Sequence, residues 1–281
     1  MKPTFFIAAS FAALSGTVFL GTGLAQATTI PATISTTLTI TTDSQLTGNV
    51  ACTITGAPCI KFGVHGIKLK PNGFTMTGNG ARGSCTANAA ETGIDTNGQN
   101  NVFIRGPGLV RRFNGIGIVV SGNHSSVEGI AITSICGHGI EVLGSHNEVE
   151  GNSVSRADMS GFSFAIFVLG TGGHRVLHNE VVGVSGGLGI VVMSINNLIE
   201  ENDASGTGSG ITFLPGSTGN TVRHNQALGN VPGDDMLDDN ALGANNYDNN
   251  LCEFSQIGPG LANICKLPDI SGHRNFNPSS Q

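Results

Sequence analysis

The chain has no tryptophan, one tyrosine and few charged side chains; Asp, Glu, Lys and Arg make up 11% of its 281 residues. Without tryptophan, any platform for stacking a sugar ring has to come mainly from phenylalanine or histidine. Lys and Arg number only 13 and the formal net charge is −6, so the basic footprint that nucleic acid requires is absent. Beyond residue 27 no long apolar run occurs, which predicts no membrane span there. Windows with apolar residues at i, i+3 and i+4 over ten or more positions are also missing, which excludes helical repeats. No phosphate-binding loop, serine elbow or paired Cys-x-x-Cys zinc motif is present.

What the chain has instead is glycine, 42 residues, or about twice the usual ~7%. Glycine and asparagine tolerate the positive φ of sharp turns, so this is a turn-rich β composition. Residues 1–27 read as a signal peptide: Lys2, an apolar run, then the small-x-small site Ala25-Gln-Ala27. The chain is expected to be exported, to the periplasm or beyond. Six cysteines in an exported chain predict disulfides, with 15 pairings open. Cys52 with Cys59 and Cys252 with Cys265 are close in sequence. Cys85 and Cys136 lie about two repeats apart, so a bridge between them needs the loop around Cys85 to fold over, and that pairing stays open.

Between these landmarks one hexapeptide keeps returning. "NEVEGN" ends at Asn152, "HRVLHN" at Asn179, "NLIEEN" at Asn202 and "NTVRHN" at Asn225. Their apolar centres give a column at Val102, Val127, Val149, Val176, Ile199 and Val222, with steps of 22 to 27 residues. A second series precedes it, at Ile118, Ile140, Ile166, Ile190 and Ile211, and a third short run follows each asparagine. Strands this short bury their apolar positions only by pairing in parallel with the same strand one repeat on, about 4.8 Å away. The predicted fold is all-β: a single-stranded right-handed parallel β-helix, a solenoid of about 22–27-residue coils with three short strands each. Its predicted parts are a cap and first coil (28–60), the β-helix (61–232) and a closing segment with tail (233–281). Asn152, Asn179, Asn202 and Asn225 would then stack at one corner as a structural hydrogen-bonded ladder.

The repeat, the N-terminal "IKLKPNGFTMTGNG" and the C-terminal "DDMLDDNALGANNYDNNLCEF" resemble the right-handed parallel β-helix proteins of the pectate-lyase-like superfamily. That group includes polysaccharide lyases, hydrolases, epimerases, adhesins and the copper-handling NosD-like proteins. The resemblance implies polysaccharide binding or processing; the alternatives are a structural or adhesive β-helix, and periplasmic metal handling. It also implies a site on the face of the first strand. There Glu141 and Phe167 are the candidates for carbohydrate binding, and Glu141 is the ionisable residue in the columns running from Val119 to Thr212 and from Ser121 to Leu214. Gly137-His138-Gly139 resembles a polygalacturonase motif, but Ile116 and Gly117 stand where that family has its Asp pair. His138 and Glu141 are the weak catalytic candidates, and no complete catalytic set is visible. The rest of that face is apolar. It is either covered by the preceding loops, with Phe162 and Phe164, or used for self-association or a cell-surface partner.

Two further clusters suggest cations. His178, Glu201 and His224 occupy successive coils, with Glu180 and Asp203 around the turn, a donor set suited to Zn²⁺ or Cu²⁺. Asp234, Asp235, Asp238 and Asp239 offer oxygens for Ca²⁺, at the point where the chain is expected to close the solenoid.

Overall fold

A computed structural model describes residues 27–80, 85, 88, 90–155, 163–183, 187–257 and 264–266. Residues 1–26, where the signal peptide is expected, the loop carrying Phe162 and the tail beyond residue 266 lie outside them. The described chain is an all-β parallel solenoid of about nine turns, without α-helix.

Ten first strands form one parallel sheet, from Leu38–Ile40 through Ile118–Val120, Ile140–Val142, Phe164–Val168, Leu188–Val192 and Ser209–Phe213 to Ser255–Ile257. The second and third strands make an 18-stranded sheet that wraps the other sides. They are separate in most coils but fuse in two long strands, Phe103–Arg111 and Ser126–Thr133, whose pairing slips between Arg105 and Gly108. At that slip the coils come so close that a Cβ on Gly106 would overlap the Gly129 carbonyl, which explains the glycine there.

Alternate residues point inward and stack on their equivalents, so each column is continuous. Ile94, Ile118, Ile140, Ile166, Ile190, Ile211 and Met236 form one such stack in register, and all are fully buried. The second-strand column is Leu69, Ile104, Val127, Val149, Val176, Ile199, Val222 and Tyr247. Ile104, not Val102, occupies it, which regularises the step there to that of the later coils. Val102 instead sits two positions earlier, opposite Ser125, where its N–H donates to Ser125 Oγ.

Asn152, Asn179, Asn202 and Asn225 lie buried between second and third strands. Each donates its backbone N–H and its Nδ2 to the Oδ1 of the next, at 2.9–3.1 Å, and the series continues to Asn250. The first asparagine of the hexapeptide builds a second ladder that the sequence reading did not single out. It runs from Asn147 through His174, Asn197 and Asn220 to Asn245. His174 takes an amide's place: Nδ1 accepts the N–H of Asn147 at 3.2 Å and Nε2 donates to the Leu169 carbonyl at 2.8 Å. Burial holds its pKa below the usual histidine value.

Three disulfides are present, Cys52–Cys59, Cys85–Cys136 and Cys252–Cys265. The open pairing is thereby resolved: the Cα atoms of Cys85 and Cys136 are 5.3 Å apart. The coil between Lys68 and its partner Phe103, which carries Cys85, is longer than its neighbours. The bridges point to an oxidising, extracytoplasmic location. Among the described residues no helix is long and apolar enough to cross a membrane.

Candidate functional site

The first-strand face carries a row of outward residues in strict register: Lys61, Asp95, Val119, Glu141, Phe167, Val191, Thr212 and Leu237. Glu141 pairs with Phe167 on the next coil. The Phe167 ring lies 5.0 Å from His138 and 4.7 Å from Phe164, and His138 stacks on Phe164 at 4.9 Å. His138 Nδ1 accepts the Phe164 N–H at 3.0 Å, so the histidine is fixed as part of an aromatic platform, not left as an isolated turn residue. Burial lowers its pKa. Burial, and then the charge of Asp95, hold the Glu141 carboxyl above the usual range.

Asp95 corrects the expectation that Glu141 is the one ionisable residue of this face. It was missed because its strand, Ile94–Asp95, is two residues long and sits in the long coil where the repeat is weakest. Nor is the face one exposed apolar strip. Val191 and Thr212 point away from the core yet are buried, while Met193 stays 52% exposed and Ile195 40%.

The second-strand corner is polar. The residue just before each ladder asparagine, and Gly129 before the equivalent Ile130, has positive φ: Gly129, Gly151, His178, Glu201, His224 and Asn249, at 53–65°. Glycine suits this conformation, whereas His and Glu adopt it at a cost of roughly 1–2 kcal/mol each. His178 Nε2 is 2.9 Å from Glu201 and its Nδ1 3.5 Å from Glu150. Glu200, Glu201 and His224 place one donor atom each within 4.8 Å of one another. Arg223 Nη2 donates to Glu200 at 3.1 Å, with its Nε 2.7 Å from the same carboxylate, and that hydrogen bond is the main reason the Glu200 pKa is depressed. Glu180 and Asp203 do not join this group. They lie opposite each other on paired third strands; Glu180 accepts from Ser153, and Asp203 from Ser205 and Gln226.

The aspartate cluster is divided by the fold. Asp235 and Asp238 are buried, and Asp239 is exposed. Asp235 accepts four hydrogen bonds, from Asn230 N–H and Nδ2 and from the N–H groups of Glu253 and Phe254. Asp238 accepts four more, from Asn240 N–H and Nδ2, Asn245 Nδ2 and the Tyr247 hydroxyl. Burial, and then the bond to Asp238, drive the Tyr247 pKa upward. Asp238 ends the Asn147 series by accepting from Asn245, and Asp235 is taken up by Asn230 and the backbone of residues 253 and 254, so the four aspartates do not form the expected calcium cage. A depression of about 300 Å³ lies near Phe103, Arg105, Glu128 and Glu148. Its charges are already paired, Arg105 with Glu128 at 3.3 Å and Glu148 with Arg175 at 3.0 Å.

A family model of the right-handed β-helix region matches residues 92–252. The chain belongs to the right-handed β-helix family. No curated protein sequence matches it. The Dettilon tailspike protein is similar in structure, at 14% identity and a TM-score of 0.49. That alignment covers 84% of this chain and 55% of the tailspike, so the chain spans about half that protein's length. The A-module of a mannuronan C-5 epimerase from Azotobacter vinelandii is 12% identical, with a TM-score of 0.45 and coverage of 86% of this chain and 89% of that one. A pectate lyase, Pel9A, is 15% identical, with a TM-score of 0.40 and coverage of 85% and 67%.

Proposed function

We propose that this β-helix binds a polysaccharide along its first-strand face, centred on Glu141 and Phe167. The supporting observation is the platform of Phe164, Phe167 and His138 beside an in-register carboxyl. Aromatic faces take the apolar C–H side of a sugar ring, and a neighbouring carboxyl bonds its hydroxyls. The face presents Asp95 and Glu141 with the single cation Lys61 in its row, which favours a neutral glycan over a polyanionic one. The test is a glycan array followed by affinity measurement on the selected polymer. Phe167→Ala and Glu141→Gln should each weaken binding at least tenfold with the β-sheet circular dichroism unchanged; retained affinity in both variants would remove the site.

A second reading rests on Asp95. Asp95 and Glu141 are two coil steps apart, about 10 Å between Cα atoms, with Val119 between them. Inverting glycosidases need two carboxyls about 6.5–9.5 Å apart, one protonated and one to activate water. Glu141, with its raised pKa, suits the acid and Asp95 the base. Release of new reducing ends from the bound polymer, lost in Asp95→Asn while binding persists, would support processing; binding without any cleavage by the wild type would leave a binding protein only.

A further inference from the structure

We propose that the turn after the second strand holds a zinc-class divalent ion on Glu200, Glu201 and His224, with His178 as a positioning residue. Three donor atoms on these residues already lie within 4.8 Å of one another. Two come from one coil and the third from the next, so an ion here would clip successive coils together. One imidazole and two carboxylates are a donor set for Zn²⁺, with a fourth position left for water. Calcium, which takes oxygen ligands, fits it poorly.

The surroundings match that role. His178 reaches from the preceding coil and holds Glu201 at 2.9 Å, as partners behind metal ligands do. Arg223 shares Glu200, which tempers the local negative charge and sets the affinity in a moderate range. The fixed spacing of the coils, about 4.8 Å, pre-places the donors, and no loop has to order on binding. Gly129 and Gly151 show that the column before the ladder accepts glycine; in three consecutive coils it carries His, Glu and His instead. The site lies on the second-strand corner, so it stands or falls independently of glycan binding.

The experiment is calorimetric titration of tag-free protein with Zn²⁺, alongside thermal melts with and without the metal. The expected result is one ion per chain, a Kd on the order of micromolar and a higher melting temperature with zinc, since an ion bound only to the folded state stabilises it. His224→Gly, which suits the left-handed backbone, and Glu201→Gln should each weaken uptake at least tenfold and leave the metal-free melt unchanged. His178→Asn should weaken it several-fold. His224→Asn replaces the glycine variant where that fails to fold. No uptake by the wild type, or equal uptake by both His224 variants, would overturn the proposal.

Discussion

His178 and Asn179 are neighbours in one turn, yet the first has a half-exposed side chain and the second is 1% exposed. The asparagine position is the same in four successive coils and again in Asn250, because its amide must both accept from the coil before and donate to the coil after. The position before it changes from glycine to histidine to glutamate, because the backbone asks only for a left-handed φ. The turn thus separates duties by one residue: the inner side chain carries the fold, and the outer one is free to carry chemistry. The ladders also differ at their ends. Interior rungs are amides apart from His174, and the Asn147 series ends on the carboxylate of Asp238 whereas the other ends at Asn250.

The strongest way to break this comparison is to remove a rung. Asn202→Ala strips the acceptor from the N–H and Nδ2 of Asn179 and a donor from the Val176 carbonyl. Each buried group left unpaired costs about 1–3 kcal/mol, so the variant should lose about 3–5 kcal/mol in urea unfolding. A loss below about 1 kcal/mol would mean that the ladder is ornamental.

The fold was legible because the inward columns of a solenoid must repeat: Val127 through Val222 stand one coil apart and in register. The same logic gave the Asn152 series. It missed the Asn147 series because His174 interrupts the letter pattern, although imidazole fills the same hydrogen-bonding role. The site was less legible. Glu141 and Phe167 stand out on an apolar row, but Asp95 belongs to a short strand in an irregular coil, and only pairing to Val119 places it there. Glu200 stands one residue before Glu201 in the sequence, and only the bend of the corner brings it beside His224. The aspartate cluster misled because sequence proximity says nothing of burial. Asp235 and Asp238 are buried and accept hydrogen bonds from Asn230 and Asn245, while Asp239 is exposed.

His174 offers a sharper and smaller perturbation. Its pKa in the folded chain lies below that of the unfolded chain, so the folded state binds fewer protons in that window. Its contribution is complete above the unfolded pKa near 6.5 and is lost as pH falls below it. Stability should therefore decline from pH 7 toward pH 5. His174→Asn restores an amide at the rung and should flatten that decline, measured as melting temperature against pH. Part of the slope should persist, because burial shifts His138 in the same direction. An unchanged slope would show that His174 is not held neutral by the ladder.

The smallest expected effect is at the outer position itself. In His178→Gly the left-handed backbone is relieved of roughly 1 kcal/mol or more of strain. Against that, glycine adds unfolded-state entropy worth about 0.5–1 kcal/mol, and the exposed pair with Glu201 contributes about 0–1 kcal/mol. These terms nearly cancel, so urea unfolding should shift by less than about 1 kcal/mol in either direction. The contrast with Asn202→Ala is then several-fold for residues that occupy adjacent places in the same kind of turn. If instead His178→Gly cost as much as removing a rung, the outer column would be part of the framework, and its histidines and glutamate would need no ligand to account for them.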